Sequence, residues 1–139
     1  MKTINHHSAL IYVMVIVSAA DGVMSDREMR TIGDITKTLP IFRDFEDHSL
    51  LPICHECAAM LREPESLDDV LDLVREALPA PLRETAYAVA LEVALSDSRV
   101  MLEEVRVLDI IRRTLGIDRL VAAAIERAAR ARYQVAAER

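Results

Sequence analysis

Two turns of the chain carry acidic residues whose type and spacing suit the binding of a divalent cation. Asp21 and Glu28 lie seven residues apart in "AADGVMSDRE", and Asp97 and Glu104 have the same spacing in "SDSRVMLEE". A loop-start Asp and a first-turn Glu can converge across a tight helix-loop-helix turn. Four carboxylates held together repel one another unless they bind protons or a cation. Such a cluster would favour Ca²⁺, Mg²⁺ or Mn²⁺, although the D-x-D-x-D-G spacing of an EF-hand is missing.

The same residues also have a structural interpretation. Ser25 and Glu28 form the S-x-x-E pattern of a capping box at the start of a helix, and Gly22 can end the preceding helix in the left-handed conformation. The second turn has Ser98 in place of Gly22 and Met101 in place of Ser25. Glu104 therefore has no serine to pair with, yet a carboxylate in a first helical turn still gains from the helix dipole. Both interpretations remain open from spacing alone.

An internal repeat links the two turns. Sliding the chain by 76 residues aligns 20–39 with 96–115 and leaves six identical positions. The sequence therefore predicts two related helical hairpins within one domain, residues 1–139, with repeat halves at about 9–39 and 85–115. If these hairpins pack about a pseudo-twofold axis, the four acidic residues come together. The identical pairs are Asp21/Asp97, Glu28/Glu104, Arg30/Arg106, Ile35/Ile111, Thr38/Thr114 and Leu39/Leu115.

Other chemistry-bearing residues have simpler interpretations. Cys54 and Cys57 flank a histidine and a glutamate, but no second C-x-x-C or histidine pair completes a zinc site. A redox C-x-x-C normally opens a helix after a strand, so both cysteines are interpreted as packing residues, with a thiol role in oxidant chemistry as the alternative. His6 and His7 are expected to begin a helix in solvent, with weak metal binding as the alternative. No nucleophile or phosphate-binding motif occurs, and we expect no enzymatic activity.

Composition predicts an all-α fold that positions these residues. Apolar residues make up 52% of the 139-residue chain, aromatics only 4%, and Gly and Pro together number eight. Such a chain can bury a sizeable core in one domain but has little strand chemistry. Helical periodicity and caps predict about seven helices: 3–20, 25–39, 50–62, 66–78, 81–95, 102–115 and 118–137. The connection 40–49 is expected to be irregular, with Phe42 and Phe45 folding back onto the core.

Charge and hydropathy limit the partners and the location. The net charge of −6 argues against nucleic acid or an anionic membrane as the main partner, since both attract basic surfaces. The apolar run Ala9 to Ala20 is shorter than the roughly twenty residues of a membrane span, so no membrane insertion is expected. "MKTINHH" lacks the features of a secretory signal, which favours the cytoplasm.

With these motifs in view, the chain resembles the TerB family of tellurite-resistance proteins over nearly its whole length. The resemblance rests on the apolar helix ending in "AADG", the helix start "SDRE", and the segments "LRETAYAVALEVALSD" and "EEVRVLDIIRRTLGID". It implies a seven-helix bacterial cytoplasmic protein of stress or metal resistance that works through protein partners. It also implies cation binding by acidic residues of the turns, here Asp21, Glu28, Asp97 and Glu104. "SDSRVMLEE" departs from the usual Asp-Gly form of the second turn.

Two alternatives differ in class from a cation-binding protein. The first is a metal-independent helical interaction module whose acidic surface docks a basic partner. The second is a metal-dependent hydrolase built on the same carboxylates, which is disfavoured because no histidine lies near the turns to act as ligand or base.

Overall fold

A computed structural model of the chain describes residues 3–20, 22, 24–63, 66–97 and 102–137. These residues contain seven α-helices, two short 3-10 turns and no strand, which confirms the all-α prediction. The 3-10 turns, Pro40–Phe42 and Asp47–Ser49, lie in the connection expected to be irregular. The helices are α1 His6–Ala19, α2 Asp26–Thr38, α3 Leu50–Leu61, α4 Ser66–Ala77, α5 Ala80–Ser96, α6 Leu102–Thr114 and α7 Arg119–Arg132.

Helix α1 is the centre of the molecule. Ten consecutive residues, Ala9 to Ser18, are buried, because α2, α3, α4, α5 and α6 all pack around this helix. Its sequence is apolar on every side, as expected of a helix without a solvent face. None of the helices in the described ranges has the length and apolar character needed to cross a membrane.

The two helical hairpins, α1–α2 and α5–α6, pack against each other. Helices α1 and α5 pack against each other, α2 also packs on α5, and α6 also packs on α1. Each hairpin thus places its second helix against the first helix of the other hairpin. This reciprocal arrangement is what packing about a pseudo-twofold axis requires, and it brings the two acidic turns to the same part of the molecule.

Each hairpin is tied to the helix that follows it by a buried tyrosine. The hydroxyl of Tyr12 on α1 donates a hydrogen bond to Glu56 on α3. The hydroxyl of Tyr87 on α5 donates to Glu126 Oε2 on α7 at 2.6 Å. Both rings are almost fully buried, so these bonds satisfy hydroxyl groups that would otherwise lose their water partners.

The expectation that His6 and His7 begin a helix is confirmed, but the expectation that His7 lies in solvent was wrong. Its side chain is only 12% exposed, because it stacks on Phe42 at 5.2 Å between ring centroids and meets the edge of Phe45 at 5.3 Å. Its Nε2–H donates to the Ile41 carbonyl oxygen at 2.8 Å. The connection between α2 and α3 folds back over the start of α1, as predicted for the two phenylalanines, and encloses the imidazole.

Several predicted helix boundaries also changed. Helix α1 starts later than predicted, at His6, since the Asn5 side chain accepts the Ser8 N–H at 2.8 Å and caps it. Helix α4 starts at Ser66 as predicted, and the Ser66 hydroxyl donates to the Leu61 carbonyl at 3.0 Å. Helix α7 ends at Arg132, before the predicted Ala137, where its charged last turns bury no further apolar surface.

Candidate metal centre at the hairpin turns

The first turn is organised by a capping box at the start of α2. The Ser25 hydroxyl oxygen accepts the Glu28 N–H at 3.0 Å, and Glu28 Oε1 accepts the Ser25 N–H at 2.9 Å. Gly22 has φ of +94°, a left-handed conformation that most side chains disfavour. The structural interpretation of "AADGVMSDRE" is therefore confirmed for the capping box and for the glycine.

Ser25 also connects the first turn to the second. Its hydroxyl lies 3.3 Å from Asp97 Oδ2 and 3.4 Å from Asp97 Oδ1. Asp97 is the residue that ends α5, with extended backbone at φ −87° and ψ 157°. These distances are long for a hydroxyl–carboxylate hydrogen bond, so the contact is loose. It nevertheless holds a carboxylate of the second turn against the helix cap of the first.

The two first-turn glutamates lie inside the protein. Glu28 is 1% exposed on α2, and Glu104 is 2% exposed at the corresponding position of α6. A buried carboxylate is costly unless it is partnered, and each of these two has interactions within the molecule. Glu28 and Glu104, which the repeat aligns, are therefore alike in burial as well as in residue type.

A buried hydroxyl lies in the helical turn that precedes the first acidic turn. Ser18 on α1 is fully buried, and its Oγ has no hydrogen-bond partner among the described residues. Buried polar atoms without a partner are rare in native proteins and point to a bound water or ion. Ser18 is therefore an oxygen atom that prediction from acidic residues alone had missed, although it interrupts an otherwise apolar run.

The structure describes three of the four predicted ligands. Asp21 lies outside the described residues. Among those the structure describes, no three His, Cys, Asp or Glu side chains form a group arranged to hold a metal ion. Glu28, Asp97 and Glu104 have carboxylate oxygens, which hard cations prefer as ligands. The predicted set of ligands also includes Asp21. Their role as ligands stays a prediction.

Comparison with known proteins gives one result. The family model described as "Tellurite resistance protein TerB" matches residues 7–131, which include both acidic turns. The chain belongs to the TerB family. The resemblance seen in its motifs is thereby confirmed, together with the helical fold. Searches of curated proteins and of solved structures returned no match.

The cysteine pair of this TerB domain is separate from the acidic turns. Cys57 is fully buried and its Sγ lies 3.8 Å from the Tyr12 carbonyl oxygen, while Cys54 is almost as well covered. Burial raises the pKa of Cys54 to about 11 and that of Cys57 to about 12. Both thiols are free and protonated at neutral pH, which agrees with a packing role and disfavours thiolate chemistry.

Proposed function

We propose that this TerB domain is a non-enzymatic protein that binds a divalent cation where its two acidic turns meet. Asp21, Glu28, Asp97 and Glu104 would supply the oxygen ligands, with Ca²⁺, Mn²⁺ and Mg²⁺ as candidate ions. The observation that supports the proposal is the Ser25–Asp97 contact, because it joins turns whose helix starts lie far apart in sequence.

A bound cation would supply positive charge to these carboxylates. It would oppose their mutual repulsion and strengthen the connection between the starts of α2 and α6. In the bacterial cytoplasm, such a domain would act in stress or tellurite resistance through protein partners. Its affinity for a partner would then depend on the ion if the partner reads the surface around the turns.

Calorimetric titration of chelator-treated protein with Ca²⁺, Mn²⁺ and Mg²⁺ tests the proposal. We expect a saturable isotherm for the wild type with at least one ion, and a loss of binding in the Asp21→Ala/Asp97→Ala variant. Asp97 is at the helix end and not in the core, so this variant should keep its circular dichroism spectrum.

A matched control uses two exposed acidic residues of α4. The Asp68→Ala/Asp69→Ala variant removes the same charge from another first helical turn and should bind as the wild type does. Identical null isotherms for the wild type and the turn variant would show that the cation proposal is wrong. Equal weakening in both variants would indicate a general charge effect instead.

A second candidate function is supported by an acidic groove beside α4. This groove has a volume of about 700 Å³, and its carboxylates come from Asp69, Asp72 and Glu76 on one face of the helix. Ile4 and Leu73 add apolar lining. A basic amphipathic segment of a protein partner would complement both features, and its docking would need no metal.

Fluorescence anisotropy with a lysine-rich amphipathic peptide tests this second candidate. Binding should weaken as salt is raised and stay unchanged with chelator. The Asp69→Asn/Asp72→Asn variant should lose affinity, whereas Glu46→Gln/Asp47→Asn, which removes two exposed acidic residues elsewhere, should keep it. Equal affinity in both variants would rule out the groove.

A further inference from the structure

Helix α7 has an apolar face that points away from the core. The helix packs on α5, and its inner residues Ala122, Ile125 and Ala129 lie against the core. The opposite face has exposed apolar residues at helical spacing, and covering them would be favourable in proportion to the area removed from water. These residues are Leu120, which is 81% exposed, and the exposed Ala123, Ala124, Ala128 and Ala131.

The charges on the exposed surface of α7 are all positive. Every exposed residue of the helix is an arginine, an alanine or Leu120. The single acidic residue, Glu126, is partly buried and accepts the hydrogen bond from Tyr87. Arg132 pairs with Glu92, but Arg127 and Arg130 form no ion pair with any residue in the described part of the chain. The exposed surface of α7 is therefore both basic and apolar.

The acidic groove beside α4 has the complementary character. Its lining carries the carboxylates of Asp69, Asp72 and Glu76, and no lysine or arginine of the described chain lines it. None of the three carboxylates is in an ion pair within the described ranges. Ile4 and Leu73 give the groove apolar surface as well. No residue of α7 lines the groove, so the α7 of the same molecule does not fill it.

We propose that the α4 groove of one molecule binds the outer face of α7 of a second copy of this chain. The arginines would meet the carboxylates, and the alanines would let the helix approach Ile4 and Leu73 closely. This inference rests on the groove being a docking site, the second candidate function above, and it names the partner. Groove and helix are different surfaces, so the interface is heterologous; reciprocal exchange of α7 closes a dimer.

Sedimentation velocity of the chelator-treated full chain tests this self-association. The wild type should associate as its concentration is raised in about 0.03 M NaCl, and the association should weaken by about tenfold or more in about 0.5 M NaCl. The Asp72→Lys/Glu76→Lys and Arg127→Glu/Arg130→Glu variants place like charges opposite each other and should each weaken it by about tenfold or more. The variant that combines all four substitutions exchanges the charges and should regain association.

A matched control reverses two exposed arginines with the same spacing on α2. The Arg27→Glu/Arg30→Glu variant changes the net charge as the α7 variant does and should associate as the wild type does. Equal weakening in these two variants would overturn the proposal. So would a combined variant that stays monomeric.

The lysine-rich peptide separates this inference from the function on which it rests. A wild type that binds the peptide in its groove but stays monomeric at low salt would overturn self-association and leave the groove as a docking site for another protein. A wild type that neither binds the peptide nor associates would overturn both.

Discussion

At the scale of single residues, Cys54 and Cys57 show how position controls chemistry. The C-x-x-C spacing alone is compatible with metal binding, redox chemistry or packing. Their placement on the inner face of α3 removes water from both sulfur atoms and raises both pKa values. Nucleophilic reactions of cysteine need the thiolate, so the folded protein keeps these thiols unreactive.

Maleimide labelling measures this protection. At pH 8, native protein should be labelled much more slowly than protein unfolded in guanidinium, because both thiols are buried and protonated. Mass spectrometry gives the extent of labelling at each time. Equal labelling rates in the two states would contradict the burial of the pair.

The raised thiol pKa values also predict a loss of stability at high pH. Above the ordinary cysteine pKa of 9.0, the unfolded chain releases thiol protons that the folded chain retains up to about pH 11 to 12. The unfolded state is then favoured, so the free energy of unfolding should fall as pH rises through this window. In urea unfolding, the free energy of unfolding should fall less steeply with pH for the Cys54→Ala/Cys57→Ala variant than for the wild type. Tyrosine ionisation affects the wild type and the variant alike.

Residue types alone could predict local contacts but not distant ones. The Ser25–Glu28 box is encoded by two residues three positions apart, and its hydrogen bonds formed as expected. The contact between Ser25 and Asp97 depends on how two hairpins pack, which no local pattern specifies. The repeat offered the available signal, because it implied that two equivalent turns share one environment.

At the scale of helices, the start of α2 has both a capping role and a tertiary role. Ser25 accepts a hydrogen bond from its own helix and contacts the residue that ends α5. Asp118 caps α7 in a simpler way, since it accepts the Leu120 N–H at 3.0 Å. Ser25 is therefore a cap with a tertiary contact, whereas Asp118 caps its helix through a local hydrogen bond.

The Ser25→Ala and Asp118→Ala variants test this comparison. Each should lose about 1 kcal/mol of stability through its lost cap. A double-mutant cycle of Ser25→Ala with Asp97→Ala should give a coupling energy of about 0.5 kcal/mol or more, as for residues in contact. Asp118→Ala with Asp97→Ala should be additive. Additivity in both cycles, measured by urea unfolding, would argue against the contact between turns.

The tyrosine–glutamate bonds make a second prediction at this scale. Tyr12→Phe and Tyr87→Phe keep the buried rings but remove the hydroxyl groups that tie α1 to α3 and α5 to α7. Each variant should be less stable by about 1.5–3 kcal/mol, the scale of a hydrogen bond to a charged group. Tyr133→Phe, at an exposed residue after α7, should change stability little. Thermal and urea unfolding measure the stability of the three variants. Equal losses of stability in all three would contradict a specific role for the two buried hydroxyl groups.

Helix boundaries were predictable where a local signal ended the helix. Gly116 follows α6 with a left-handed φ of +68°, and Asp118 caps α7 through its hydrogen bond to the Leu120 N–H, close to the predicted boundaries at 115 and 118. The end of α7 was not predictable in this way. Helical periodicity continues through "RYQVAA", but the helix ends at Arg132. The enclosure of His7 likewise depends on a distant connection folding back.

At the scale of the molecule, stability depends on the central position of α1. This helix contacts both hairpins, so the two repeat halves share one core. A domain of this size is expected to unfold in a single cooperative step. The crossed packing of α2 on α5 and α6 on α1 gives neither half a complete core of its own.

The Leu10→Ala variant tests this shared core. Leu10 is fully buried on α1, so its truncation should cost about 2–5 kcal/mol. Leu120→Ala, at an exposed site on α7, should cost at most about 0.5 kcal/mol. Urea transitions followed by circular dichroism and by tyrosine fluorescence should coincide for both variants. Separate transitions would show that the halves unfold independently.

The apolar surface of α1 has a consequence for synthesis of the chain. Its main packing partner, α5, begins at Ala80, so the ribosome must add a long stretch of chain before that partner exists. At about 5–20 residues per second, this takes roughly 3 to 15 seconds. During this interval the nascent chain carries an apolar segment that lacks its native cover. The order of the helices therefore leaves α1 without its main packing partner during this part of synthesis.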